Sequence, residues 1–229
     1  MLEAALYDLD GLIVNTEPIH GEASEKALNV FGHTLGDIPE NVRKSVYGKR
    51  VVDVAAEFIG CLNLPVSPEC WAEKRLEIFM QLIEDGIELM PGMEDSLRFF
   101  SSHGLKKAVV SSGDRRYVHR ILEMTGLEGV FGEVIAGDDV TAGKPEPQCY
   151  LLAARRLGVS PPSRCLVLED AYAGICAARA AGMKVIGIEN LFNDNFKGAD
   201  LVLKSLTEID EKVLKRLGKS KSIESTAVL

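Results

Sequence analysis

The hydrophobic pattern of the chain changes character twice. Ala4 to Tyr7 form an apolar run too short for a stable helix, and Gly11 punctuates it soon afterwards. That predicts a short buried strand with Asp8 at its carboxyl end. From Pro18 to Phe31 the apolar positions Ile19, Ala23, Ala27, Leu28 and Val30 recur at helical spacing, and Gly32 closes the segment. Residues 39–46, 50–60 and 67–85 continue in the same style, with Pro39, Gly48, Pro65 and Pro68 as breakers, and no strand is expected before residue 105. From Pro91 the texture alternates: a helix at 93–103, the strand Lys107–Val110, a helix near 115–125, the strand Glu133–Ala136, a helix at 147–157, the strand Cys165–Leu168, a helix at 172–181 and the strand Lys184–Ile188. Strands alternating with helices predict an α/β fold, an open doubly wound parallel sheet covered on both faces. The expected layout is a discontinuous α/β core at 1–15 and 87–217, with an inserted all-helical domain at 16–86 entered near Asn15–Glu17 and left near Asp85–Pro91. The polar stretch 218–229 is expected to fray.

At 229 residues and 46% apolar content the chain can bury one good core plus a small module. A net charge of −8, with no basic block and no basic amphipathic helix, argues against nucleic acid or a membrane surface as partner. An anionic substrate stays open, because charges beyond about 10 Å are mostly screened at physiological salt and a few local cations decide binding. The five cysteines (Cys61, Cys70, Cys149, Cys165, Cys176) are scattered without zinc-ligand spacing, as expected of free thiols. Asp8 and Asp10 stand where a signal peptide needs its apolar core, and no apolar run approaches the about 18 residues of a membrane span, so a cytoplasmic location is expected.

The candidate chemistry collects at predicted strand ends. Asp8 and Asp10 are two apart in an extended segment and share a face. Such a pair suits metal binding, or nucleophilic plus acid/base catalysis, or simply an Asp-rich turn capping the next helix. The strand at 107–110 runs into Ser111-Ser112-Gly113, a hydroxyl-bearing loop before a helix that can cradle an anion or serve as an ordinary cap. Lys144 sits in Gly143-Lys144-Pro145-Glu146-Pro147 just before a helix, able to reach back over the sheet or to remain solvated. The strand at 165–168 ends in Glu169-Asp170, a second acidic pair; hard oxygens clustered with one strong base point to Mg²⁺, while Asp170 also suits a helix cap.

Asp8-Leu9-Asp10-Gly11 with Thr16-Glu17, then Ser111, Lys144 and Glu169-Asp170, resemble in order and spacing the four motifs of the haloacid dehalogenase (HAD) superfamily phosphatases, over nearly the whole chain. The resemblance implies a HAD-like Rossmannoid core with a helical cap beside the site. It implies Asp8 as nucleophile, Asp10 as general acid/base, Ser111, Ser112 and Lys144 as phosphate holders, and Asp8, the Asp10 carbonyl and Asp170 as Mg²⁺ ligands, with Glu169 in an outer or water-bridged position. Among HAD proteins the chain is most similar to the sugar phosphatase and β-phosphoglucomutase branch, in which Thr16 and His20 match positions near the substrate. The implied function is Mg²⁺-dependent hydrolysis of a small phosphorylated metabolite through an aspartyl-phosphate, by a monomer. A phosphomutase, or a non-catalytic binding protein on the same fold, are the alternatives.

Two departures bear on this. Asn15 replaces the more usual acid before Thr16, and Gly113-Asp114-Arg115 stands where the mutase has Ser-Lys-Asn, placing an acid where a second phosphate would be repelled. The Asp10 pKa is expected to be raised by its carboxylate neighbours and opposed by the metal. In the insert, Lys49, Arg50, Lys74 and Arg75 are cleft candidates; Arg50 is expected to select substrate, Lys74 and Arg75 to be solvated.

Overall fold

The structure is a computed structural model that describes residues 1–191 and 193–219. Six strands form one parallel sheet: β1 (Ala4–Tyr7), β2 (Lys106–Val110), β3 (Glu133–Ile135), β4 (Cys165–Glu169), β5 (Lys184–Ile188) and β6 (Leu201–Leu203). Their spatial order is β3-β2-β1-β4-β5-β6, so β1 lies between β2 and β4 and the strand order reverses at its edge. Tyr7 is level with Val109 on one side and Leu168 on the other. The turns after β1, β2 and β4, carrying Asp8, Ser111 and Asp170, therefore leave the sheet side by side at a topological switch point, where open α/β sheets form their clefts.

Alternation of side chains across the sheet builds two cores from the same strands. Ala5, Tyr7, Val109, Leu166, Leu168 and Ile186 face one layer. It is closed by α5 (Met93–Ser102), α6 (Arg115–Met124) and α9 (Glu211–Lys219). Ala4, Leu6, Ala108, Val110, Val167 and Val185 face the opposite layer. There α7 (Gln148–Arg156) and α8 (Tyr172–Ala180) cover the sheet. All four residues of β1 are fully buried, which is why its sequence carries no polar alternation.

Between β1 and β2 lie α1 (Glu17–Asn29), α2 (Glu40–Ser45), α3 (Val51–Leu62) and α4 (Pro68–Leu82). These helices pack an apolar cluster of their own from Ala27, Leu28, Ile38, Ala55, Phe58 and Trp71. The two segments joining them to the sheet run antiparallel and touch: the Asn15 N–H donates to Glu88 O at 3.2 Å and the Met90 N–H to Ile13 O at 2.8 Å.

The observed elements add β6 and α9 to those expected. β6 has three residues and follows the polar segment 189–200, too little pattern to announce a strand. Helix α9 buries Val213 and Leu217 on one face amid charged neighbours. Gly218 and Lys219 belong to that helix rather than to a frayed tail, and residues 220–229 lie outside the described part of the chain. Among the described residues no helix is long and apolar enough to cross a membrane.

Candidate active site

Where β1 ends, Gly11 adopts φ +74°. A Cβ there would come within 2.0 Å of Asp170 Oδ2, so only glycine lets the turn lie against the end of β4. Asp8 and Asp10 are held at this turn, and the Asp8 N–H donates to Leu168 O at 3.1 Å. Lys144 reaches back over the sheet from the loop before α7 and is 3% exposed. Its ammonium donates to Asp8 Oδ1, to Glu169 Oε1 at 2.6 Å and to Val110 O at 3.2 Å, and lies 5.2 Å above the Tyr150 ring.

Glu169 is fully buried, and both of its oxygens are occupied. Oε1 accepts from Lys144 and from the Tyr150 hydroxyl (2.8 Å); Oε2 accepts the Asp170 and Ala171 N–H groups. A Cβ on Gly174 would lie 1.6 Å from Oε1, so the glycine in the first turn of α8 makes room for this carboxylate. Such geometry makes Glu169 the anchor of Lys144, a role its expected outer position near a metal did not specify.

Oxygens of Asp8, Glu169 and Asp170 all lie within 4.8 Å of one another. Burial first, then carboxylate repulsion, pushes the Asp8 and Asp170 carboxyls well above the ordinary range, although Lys144 opposes the shift at Asp8. Burial alone would lower the Lys144 ammonium, but Asp8 and Glu169 outweigh it and hold the lysine protonated. Three buried carboxylates against this one cation leave excess negative charge, and every potential ligand is a hard oxygen. That donor set fits a divalent cation of the Mg²⁺ type, with Asp8 and Asp170 as the side chains to hold it.

Asp10 differs from its expectation. Burial pushes its carboxyl up, but the charge and hydrogen bond of His20, with hydrogen bonds from Thr16 and Tyr117, outweigh burial and bring it below the ordinary value. Its Oδ1 accepts from Thr16 Oγ1 at 2.5 Å, from His20 Nε2 at 2.9 Å and from the Tyr117 hydroxyl. No donor among the described residues reaches Oδ2, and Asp10 lines the cleft. The other ring nitrogen of His20, Nδ1, lies 3.0 Å from Arg75 Nη2.

Arg75 is 7% exposed and also bonds Ser24 Oγ (2.8 Å) and His20 O (3.1 Å), which overturns its expected solvated position. Trp71, Arg75 and Phe79 share the buried face of α4 at four-residue spacing, a signal readable in the sequence. Lys74 is exposed and paired with Glu77, as expected. Tyr117 and Tyr150 carry no functional signal in the sequence, because aromatics inside amphipathic helices read as core.

The other candidates are placed as follows. Ser111 is 1% exposed, and its Oγ accepts the Gly113 N–H at 2.9 Å, so its hydroxyl shapes the loop. Ser112 donates to Gly48 O at 2.8 Å, joining core to insert. Arg50 opens α3 and holds Asp53 in a two-pronged pair (2.8 and 2.9 Å) while donating to Val140 O at 3.1 Å. Lys49 pairs with Glu57 at 2.7 Å. Asp114 caps α6 and pairs with Arg116, while Arg115 pairs with Asp139. The cleft between insert and core, about 230 Å³, is lined by Asp8, Asp10, Tyr47, Val51, Arg75 and Ser112 among others. An adjoining cavity of about 350 Å³ has Glu69, Glu73, Asp114 and Asp138 on its walls and Arg50 and Tyr117 between them.

Carboxylates and a lysine gathered at the switch point of a parallel sheet, beneath a helical insert, form a site suited to handling a phosphate ester with a divalent cation. Residues 2–182 match the model of the haloacid dehalogenase-like hydrolases. The chain belongs to that family. It is 34% identical over 209 residues to hexitol phosphatase A of Escherichia coli, covering 89% of this chain and 91% of that protein. It is 31% identical to the bifunctional riboflavin kinase/FMN phosphatase of Arabidopsis thaliana, matching 89% of this chain but spanning only 53% of that protein. The crystal structure of beta-phosphoglucomutase from Clostridium difficile superposes with a TM-score of 0.84 at 25% identity, covering 95% of this chain and 98% of that one.

Proposed function

We propose that this chain is a Mg²⁺-dependent phosphomonoester hydrolase acting on a small phosphorylated metabolite, a sugar phosphate or nucleoside-type phosphate, with Asp8 as nucleophile. The observation that carries the reading is the Asp8–Lys144–Glu169 contact, which fixes a carboxylate at the mouth of the sheet beside a cation that also suits a phosphate oxygen. An Asp8 oxygen attacks phosphorus and the bond to the leaving oxygen breaks, giving an aspartyl-phosphate. Asp10, held as a carboxylate in the free chain, takes up the proton of a phosphate monoanion as substrate binds and gives it to the leaving alkoxide. It then takes one from the water that attacks phosphorus, releasing inorganic phosphate and restoring Asp8. His20, Thr16 and Tyr117 hold Asp10 Oδ1, which leaves Oδ2 toward the cleft as the oxygen that carries the proton. A bound Mg²⁺ would supply charge neutralisation of the phosphate.

Helices α1–α4 are proposed as a cap that covers the cleft and contacts the leaving group. Hexitol phosphatase A and the FMN phosphatase are named for a hexitol phosphate and for FMN, which supports a small phosphorylated metabolite as substrate. Against mutase activity, the acidic wall of the adjoining cavity and the pairing of Arg115 with Asp139 disfavour a second phosphate. A screen of phosphorylated metabolites for phosphate release tests the reading, with a generic aryl phosphate as control and each assay run with Mg²⁺ and with EDTA. Release requiring Mg²⁺ is expected. Activity undiminished in metal-free buffer refutes the metal requirement, and rapid conversion of β-glucose-1-phosphate to glucose-6-phosphate, exceeding phosphate release, would establish the mutase instead.

A further inference from the structure

The loop between α2 and α3 reaches the proposed metal site from the insert. The Tyr47 hydroxyl donates to Asp170 Oδ2 at 2.8 Å, and the Asn190 amide, from the segment after β5, donates to the same oxygen at 2.7 Å and lies 3.2 Å from the Tyr47 oxygen. The Tyr47 hydroxyl also meets Glu17 in the first turn of α1. Asp170 is 1% exposed, and its backbone carbonyl is held by Asn190 and Asn193. Next to Tyr47, Gly48 has φ +78° and would place a Cβ 2.6 Å from that of Ala171, so the loop is pressed directly onto the residue following Asp170. The Ser112–Gly48 and Arg50–Val140 bonds fasten the same loop to two further core loops.

A carboxylate oxygen has two in-plane lone pairs, and here both on Oδ2 are taken by neutral donors, one from the insert and one from the core. Rotation about the Cβ–Cγ bond is thereby fixed, and Oδ1 is the oxygen left for a cation. We propose that Tyr47 is a positioning residue for Asp170, so that cation affinity is coupled to the seating of the insert; this rests on the reading of Asp170 as a metal ligand. The coupling is reciprocal by linkage: a cation that prefers the oriented carboxylate also favours the seated loop.

Tyr47→Phe keeps the ring and removes only the donor. Calorimetric titration with Mg²⁺ should give a Kd about five- to tenfold weaker than wild type, the scale of one hydrogen bond to a charged group partly replaced by water. In wild type, Mg²⁺ should slow amide exchange of residues 46–50; in Tyr47→Phe that protection should be lost. Asn190→Ala, which removes the second donor, should weaken Mg²⁺ in the same direction and serves if Tyr47→Phe does not fold. A packing role alone moves neither readout, since the ring is retained. If wild type binds Mg²⁺ and the variants bind within twofold of it, or Mg²⁺ leaves exchange at 46–50 unchanged in wild type, the inference is overturned while the metal reading stands. If wild type binds no Mg²⁺, the metal reading falls and this inference with it.

Discussion

Replacing Lys144 by methionine keeps a side chain of similar length and removes the cation that bridges Asp8 and Glu169. The side chains of Lys144, Asp8 and Glu169 are 2%, 9% and 0% exposed, so water cannot take the place of the ammonium without rearrangement. At the 2.6 Å separation from Glu169, Coulomb attraction is about 6 kcal/mol for an effective dielectric constant of about 20, most of it offset by desolvation of both ions. Removing one partner of such a pair leaves the other buried and uncompensated, which typically costs about 3–5 kcal/mol. For a chain of this size that corresponds to a fall in Tm of roughly 6–20 °C at pH 8. The sign with pH is fixed by the orphaned acids. Burial already raises the Asp8 carboxyl above its ordinary value, and losing the ammonium removes what opposes that shift, so the fold binds a proton there more readily than the unfolded chain and the deficit relative to wild type shrinks as pH falls from 8 toward 5.5. Adding Glu169→Gln removes one orphan charge and should return more than half of the lost stability. Denaturant melts of the two single variants and the double variant at both pH values give the coupling energy directly. A coupling below about 0.5 kcal/mol, or a deficit that does not change with pH, refutes the account of Lys144 as the counter-ion of both carboxylates.

Asp8→Asn should abolish phosphate release with the fold intact, and more than a tenth of wild-type turnover would exclude Asp8 as nucleophile. Asp10→Asn should lower kcat by about 10²–10⁴-fold while substrate still binds, read from kcat and KM with a poor leaving group; an unchanged kcat removes Asp10 from proton transfer. Glu17, whose carboxyl burial pushes up to about 7, gives the fold an extra proton between the unfolded value and pH 7. Wild-type stability should therefore fall as pH rises through that window, and Glu17→Gln should be more stable than wild type at pH 8 by about 1–2 kcal/mol yet equal to it near pH 4.5, checked by thermal melts. Arg50→Ala should cost the metabolite and a small aryl phosphate similar factors in kcat/KM, because its donors are engaged with Asp53 and Val140; a loss confined to the metabolite would restore Arg50 as a direct substrate contact.

That Asp8, Asp10 and Asp170 meet at one cleft is legible in the sequence because each follows a short apolar run that stops abruptly at a strand end, whereas Lys144 arrives from the loop before α7. What the sequence could not convey was direction within helices and loops. Arg75 and Lys74 are neighbours in the chain, yet the turn of α4 buries one on His20 and leaves the other in water. Arg50 lines the cavity beside the cleft, and what its sequence position does not convey is that Asp53, three residues on, closes the guanidinium fork. Tyr117 is anonymous in an amphipathic pattern, and its hydroxyl is drawn to Asp10 only once α6 packs beneath the turn after β1. The Asp10 expectation erred for the same reason: neighbouring carboxylates are visible in the sequence, whereas donors arriving from α1 and α6 are contributed by tertiary packing.

The two segments that leave and rejoin the sheet at Asn15 and Glu88 are hydrogen-bonded to each other. For the core, the seventy-odd residues between them are therefore equivalent to a hairpin turn, and the entropic cost of enclosing them grows only with the logarithm of their number. Shortening, lengthening or exchanging that excursion leaves the register of β1 against β2 and β4 untouched, provided Ala23, Phe79 and Ile83, which contribute to the core's apolar layer, are replaced by equivalent cover. The chain thus separates two rates of change. Drift in the excursion is bounded by the residues that reach back from it, since Thr16 and His20 hold Asp10 and Tyr47 holds Asp170, whereas the strand register does not depend on it.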